Sequence, residues 1–196
     1  MLLAGSAPLL LAILAIFLFV VLCGALVLCI VSLRRPMTLP LVIAGGLVLL
    51  ALVVVALSPV KIPTLMGMIL AVLGIAVAVV GGNPVTRQVL DVASGGRVQE
   101  TEDGGILVAV DDDGDAAATR TLMRGGTVIG YLERIAAVVA IIAGFPEAIA
   151  VVVAIKGIGR FSELAASEAR ERFIVGTLAS LLWACVVGAL VRLAMF

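Results

Sequence analysis

The sequence contains no histidine, and only 13% of its residues are charged and 4% aromatic. The missing imidazole excludes the usual zinc sites, haem ligation by histidine and serine–histidine catalysis. The three cysteines lie in apolar runs without a CxxC pair, so we expect no metal, no cofactor and no redox centre. Lysine plus arginine and aspartate plus glutamate number 13 each, so no basic field predicts a nucleic-acid partner.

Apolar residues dominate the chain, at 63% of 196 residues, and the mean hydropathy is +1.32. Soluble domains contain about 45–50% apolar residues and about 25% charged ones. A water-soluble fold of this size would have to expose much of its apolar surface. The composition therefore indicates an integral membrane protein.

Six apolar runs are separated by charged residues, proline and glycine. No positively charged segment precedes the first run, which is too long for the core of a signal peptide, so we expect a retained helix. The breakers Ser58-Pro59 and Gly81-Gly82-Asn83-Pro84 predict the ends of the second and third helices. The predicted spans cover residues 7–33, 39–57, 63–80, 127–145, 146–160 and 173–194.

The fold class that follows is an all-α membrane protein with about six transmembrane helices. Residues 1–82 hold three of these helices, and residues 83–126 form a polar insertion rich in glycine. Residues 127–196 hold a helical hairpin, a short polar helix near 162–172 and the last transmembrane helix. Within the insertion, two β-prone runs at 97–100 and 106–110 flank an Asp-Gly turn, which predicts a β-hairpin.

The distribution of lysine and arginine predicts the orientation. If the loop after the first helix is cytoplasmic, eleven of these residues lie inside, and only Lys61 and Arg192 lie outside. We therefore expect an inner (plasma) membrane protein of a bacterium with residues 83–126 in the cytoplasm and both termini outside. Residues 127–160 could instead re-enter the membrane without crossing it; the chain would then emerge on the same sides, so charge counting does not separate the two alternatives.

The candidate functional site is a cluster of ionisable residues in the fourth and fifth runs: Glu133, Arg134, Lys156 and Arg160. Glu133 and Lys156 lie 12 and 11 residues from Phe145, so an antiparallel hairpin brings them to the same depth. A lone charge at membrane depth costs at least about 2.5–3.5 kcal/mol, so pairing is expected. The alternatives are an internal ion pair, a net positive site for an anionic lipid headgroup or another anion, and a proton or ion path through Glu133.

The small and aromatic residues of the spans are expected to serve packing. Gly45-Gly46, Gly67, Gly74 and Gly81 predict surfaces where helices approach closely. Trp183 lies in the middle of its run, away from both predicted interfaces, and is therefore also expected to pack.

The C-terminal half resembles a family of uncharacterised membrane proteins of high-GC Gram-positive bacteria. The resemblance covers about residues 83–185 and is carried by four segments: residues 124–134 (Arg-Gly-Gly-Thr-Val-Ile-Gly-Tyr-Leu-Glu-Arg), 144–148 (Gly-Phe-Pro-Glu-Ala), 153–164 and 169–178. The Gly-Tyr-Leu-Glu-Arg and Ala-Ile-Lys elements are also similar to the C-terminal part of a broader bacterial membrane family of unknown function. The resemblance implies a bacterial inner membrane and assigns no activity.

The leading functional hypothesis is a non-catalytic scaffold or accessory subunit, with the lipid bilayer and either a second copy or another protein as partners. The alternative is a small ion or solute transporter or channel that uses Glu133 and Lys156. A third hypothesis, an enzyme acting on lipid through Glu133, Tyr131 and Lys156, lacks a recognisable nucleophile–base pairing, so we expect no catalytic residues.

Overall fold

The computed structural model describes residues 2–34, 37–94, 106–107, 121–122, 126–159 and 167–196, with side chains described for 8–34, 37–93, 126–159 and 170–196. This part of the chain forms six helices and two short extended segments. They are α1 (Leu2–Arg34), α2 (Thr38–Leu57), α3 (Thr64–Ser94), β1 (Ile106–Leu107), β2 (Thr121–Leu122), α4 (Gly126–Ala143), α5 (Ala148–Gly159) and α6 (Ser167–Met195).

Five helices, α1, α2, α3, α4 and α6, are long and apolar enough to cross a membrane, so the chain is a multi-pass membrane protein. The predicted all-α membrane class is confirmed. Within the described residues, five helices and not six have spanning length, because the described part of α5 has 12 residues. At 1.5 Å per residue it extends about 18 Å, against about 30 Å of hydrocarbon.

The predicted β-hairpin is not supported. Of its second run the structure describes Ile106–Leu107, which pairs antiparallel with Thr121–Leu122 in the register Ile106↔Leu122. The first run, residues 97–100, lies outside the described residues. A ladder of two residues a side is much shorter than the usual strand of about 5–6 residues, and it does not use the Asp-Gly turn.

Helix α3 continues through the sequence that was expected to end it, so that prediction is wrong. The helix runs from Thr64 to Ser94 with Pro84 inside it. Proline removes one backbone donor, and the small residues before it bring α3 into close contact with neighbouring side chains. A Cβ placed on Gly81 would lie 2.7 Å from the Trp183 indole nitrogen, so the backbone of α3 lies directly on α6 there.

Successive helices run in alternating directions, so α4 and α6 are parallel to each other. Gly67 packs on Met195 and Gly81 on Trp183, so α3 and α6 are antiparallel. Arg134 contacts Ser180, and further along both helices Ile141 contacts Arg192, which makes α4 and α6 parallel. We call the end of the bundle with Arg34, Ser94, Gly126 and Ser167 the insertion end. The opposite end, with residues 58–63, 144–147 and Met195, is the turn end.

The core lies around α6, which is the most buried of the five long helices. It packs against α2, α3 and α4, and α3 in turn packs against α1. Gly67 and Gly74 lie against side chains of α6, and Trp183 is buried and donates a hydrogen bond to the Val77 carbonyl, so the packing roles predicted for them are confirmed. A Cβ on Gly45 or Gly46 would meet no described atom within 4 Å, so the close approach predicted there is not present among the described residues.

The last helix is one continuous element from Ser167 to Met195. Residues 167–172 of the predicted short polar helix therefore belong to the spanning helix α6. Residues 160–166, which include the start of that predicted helix, lie outside the described residues.

Candidate functional site

The turn between α4 and α5 positions the first part of the site. Gly144 has φ of +80°, a left-handed conformation that favours glycine, and Pro146 follows it. Backbone N–H groups of residues 148–150 donate to the carbonyls of residues 145–147, which starts α5 directly after the bend. Arg192 of α6 donates to the carbonyls of Ile141 and Ile142, so the end of α4 is capped by a cation.

This bend brings Glu133 and Lys156 together. Lys156 Nζ donates to Glu133 Oε2 at 2.5 Å, and the two residues lie 10 and 8 positions from the facing ends of α4 and α5. The predicted ion pair is therefore confirmed. Glu133 Oε1 is buried and has no hydrogen-bond partner among the described groups. The Lys156 ammonium also lies 5.6 Å from the centre of the Phe173 ring, at the insertion-end half of α6.

Arg134 points to a different side of α4 and does not join this pair. It is only 2% exposed, the most buried charged residue described. Nη1 donates to Ser180 Oγ at 2.9 Å and Nη2 donates to Asn83 Oδ1 at 2.8 Å. The guanidinium carbon lies 5.3 Å from the centre of the Tyr131 ring, and Nε has no hydrogen-bond partner among the described groups.

Other polar residues continue from Arg134 along the three-helix junction of α3, α4 and α6. Thr86 follows Asn83 by one turn of α3, Tyr131 precedes Arg134 by one turn of α4, and Thr177 precedes Ser180 by one turn of α6. Asn83 Nδ2 lies 3.4 Å from Tyr131 Oη, and Thr86 lies beside Gly176. We name this set the polar seam; its members are Asn83, Thr86, Tyr131, Arg134, Thr177 and Ser180.

The polar seam lies in the half of the junction nearer the insertion end. On each helix a second seam residue lies one turn nearer that end: Thr86 after Asn83, Tyr131 before Arg134 and Thr177 before Ser180. Toward the turn end the same junction becomes apolar, with buried Val77, Val138, Ala184 and Val187. The seam therefore ends at the guanidinium.

The four predicted site residues fall into three groups. Glu133 and Lys156 form the ion pair, Arg134 belongs to the polar seam, and Arg160 lies outside the described residues. Tyr131 contacts Asn83 and Arg134, so the three groups of the lipid-enzyme hypothesis are divided between the pair and the seam. In the described ranges, no cluster of three or more Cys, Asp or Glu side chains could hold a metal ion.

The sequence analysis did not identify Asn83, Thr86, Thr177 and Ser180 as site residues. Asn83 belongs to the Gly81-Gly82-Asn83-Pro84 segment that was expected to end the third helix. A usable signal was present: polar residues three apart on α3 and on α6 share one face in otherwise apolar helices. Only the pairing of these faces with α4 reveals the cluster.

No family model matches the chain, and no curated protein or solved structure matches it either. The resemblance to the membrane family of high-GC Gram-positive bacteria stays a prediction.

Proposed function

We propose that the chain is a non-catalytic scaffold or accessory subunit of a membrane complex, and that it docks an apolar helix of another subunit on α5. One observation carries the proposal: α5 buries none of its residues within the described chain, yet an ion pair at membrane depth fixes it to α4. Exposure of apolar residues to lipid is ordinary for a membrane helix. The unusual feature is a charge pair that holds a helix too short to span.

The outer face of α5 has the residues that close helix packing requires. Ala150, Ala154 and Gly157 share one face at helical spacing, and both alanines are exposed. A Cβ on Gly157 would meet no described atom within 4 Å. Small residues let membrane helices approach closely enough for van der Waals contact. The Glu133–Lys156 pair fixes the rotation of α5 and so keeps this face turned away from α4.

A bulky substitution on this face tests the docking proposal. We expect Ala154→Trp to lower the apparent mass of the native complex extracted in a mild detergent, because the indole separates the helices. Ala12→Trp, on an exposed face of α1, is the matched control and should leave the mass unchanged. An unpartnered monomer for the wild type, or equal behaviour of the two variants, would contradict the proposal. Expression of tagged and untagged copies in one cell distinguishes the two possible partners. The untagged copy purifies with the tagged one if the partner is a second copy, and does not if the partner is another protein.

A second candidate function is a small ion or solute transporter or channel that uses Glu133 and Lys156, and the buried Glu133 Oε1, which has no hydrogen-bond partner among the described groups, favours it. Ionisable and hydroxyl side chains inside a membrane bundle frequently mark transport paths. The test is flux into proteoliposomes, with Glu133→Gln compared with wild type after both are shown to be folded. Loss of flux in the folded variant supports transport; absence of any flux in the wild type opposes it.

We propose further that the membrane is a bacterial inner membrane, that the insertion end faces the cytoplasm and that both termini lie outside. Among the described residues, Arg34, Arg87, Arg170 and Arg172 lie at the insertion end, against Lys61 and Arg192 at the turn end. In a variant whose three native cysteines are replaced by alanine, Thr64→Cys should react with an impermeant maleimide in intact cells. Asp91→Cys should react only after lysis, and the opposite pattern would reverse the orientation.

A further inference from the structure

Arg134 has no carboxylate partner in the described part of the chain. The acid next to it, Glu133, binds Lys156, and the groups that receive hydrogen bonds from Arg134 are a neutral hydroxyl and a neutral amide. Glu133, Arg134 and Lys156 together therefore leave one positive charge at membrane depth. An uncompensated charge in a low-dielectric environment is strongly unfavourable, so an anion that reaches it binds with a large electrostatic gain.

The residues around Arg134 supply further donors. Thr86 Oγ1 is buried and has no hydrogen-bond partner among the described groups, and Arg134 Nε has none either. The hydroxyls of Thr177 and Ser180 lie on the facing side of α6, and both residues are buried. Hydroxyl groups and a guanidinium are donors of the kind that phosphate oxygens accept.

We propose that the polar seam binds a phosphate group, with Arg134 as the charged ligand and Thr86 and Ser180 as hydroxyl donors. The charge of the phosphate neutralises the guanidinium, whose planar fork matches phosphate oxygens. To bind it, Arg134 and Ser180 must break the hydrogen bond between Nη1 and Oγ, and both groups then donate to phosphate oxygens. Asn83 then remains as the neutral acceptor that orients the guanidinium.

The position of the seam defines the route of the ligand. Arg134 lies eight residues from the start of α4, or about 12 Å from the insertion end. The polar side chains of the seam lie on the insertion-end side of Arg134, and the junction toward the turn end is apolar. The phosphate therefore enters from the insertion end, either as the headgroup of an anionic lipid, whose negative charge no choline balances, or as free phosphate.

The experiment uses the full chain in lipid nanodiscs and measures its melting temperature. In nanodiscs of phosphatidylcholine, inorganic phosphate is titrated against chloride at constant ionic strength. In a second arm, phosphatidylglycerol replaces part of the phosphatidylcholine without added phosphate. A ligand that binds only the folded state raises the melting temperature as its concentration rises. A shift in the first arm identifies free phosphate, and a shift confined to the second identifies a lipid headgroup.

Thr86→Val is the decisive variant because it removes the hydroxyl and keeps the shape of the side chain. We expect its ligand-dependent shift to fall at least twofold, while Thr64→Val, an exposed threonine at the turn end, keeps the full wild-type shift. Ser180→Ala is the second variant and should also reduce the shift. The proposal is overturned if the wild type shows no shift in either arm, or if Thr86→Val and Ser180→Ala respond as strongly as Thr64→Val. The docking proposal is untouched by either result, because it depends on the exposed face of α5, a helix that contributes no residue to the polar seam.

Discussion

The polar seam and the α4–α5 hairpin are two regions that hold charged side chains at membrane depth in different ways. In the seam, Arg134 is enclosed by three helices and donates two hydrogen bonds to neutral acceptors. In the hairpin, Glu133 and Lys156 pair with each other at the edge of the bundle, where α5 buries none of its own residues. The neighbouring residues 133 and 134 thus belong to different environments.

The difference shows which interactions hold each region in place. The junction of α3, α4 and α6 depends on close packing, in which Gly81 and Gly82 admit Trp183 and Arg134. Among the described residues, no such packing covers the far side of α5, and the hairpin depends on one ion pair and one turn. Substitutions should therefore affect the hairpin through charge and backbone conformation, and the junction through volume.

The largest effect should come from Lys156→Met, which leaves Glu133 buried without a partner. Removing one member of a buried pair costs about 3–5 kcal/mol. Glu133→Gln should cost less, because the Lys156 side chain is 16% exposed, against 6% for Glu133, and can extend to the surface. The measurement is the free energy of unfolding in detergent micelles. The double variant should recover most of the loss; failure to recover it would mean that the pair does not hold the hairpin.

Gly81→Ala should cause the next largest loss in the free energy of unfolding, because the new Cβ would meet the buried Trp183 ring at 2.7–2.8 Å. Overpacking of this kind costs about 1–3 kcal/mol. Gly46→Ala, on α2 with no described atom within 4 Å of the new Cβ, is the matched control, and its unfolding free energy should be unchanged or slightly raised. Equal results for the two variants would remove the argument that volume governs the junction.

Gly144→Ala tests the backbone of the hairpin turn. An L-residue at φ of +80° costs about 1–2 kcal/mol, and the new Cβ would also displace the Arg192 guanidinium, 2.7 Å away. Gly157→Ala, in the same hairpin but in a helix with open space, should be neutral. Thermal unfolding of both variants separates turn strain from a general sensitivity of the hairpin.

Trp183→Phe should have the smallest effect. It keeps an aromatic ring against Gly81 and removes the hydrogen bond from Nε1 to the Val77 carbonyl, which is worth about 1 kcal/mol. A loss of several kcal/mol in the melting experiment would show that polar contacts also govern the junction and would weaken the contrast between the two regions.

The pairing of Glu133 with Lys156 could be predicted because it is local. Both lie on one chain segment folded at a proline, and helical rise alone sets them level. The helix end at Gly81–Pro84 was predicted wrongly for the opposite reason. Local breaker signals there were overridden by contacts with Trp183 and Arg134, which are about 50–100 residues away in the sequence.

Hydropathy and helical rise act over short distances, and they suffice to predict an all-helical membrane protein in which a proline-marked bend sets two opposite charges at one depth. The packing in three dimensions was needed to show that α3 continues past Pro84 and that Arg134 turns away from Glu133 toward Asn83 and Ser180. It was also needed to show that the described part of α5 has 12 residues, fewer than a full span requires. These outcomes depend on which helix faces meet, and that choice is made by shape and by hydrogen bonding between distant segments.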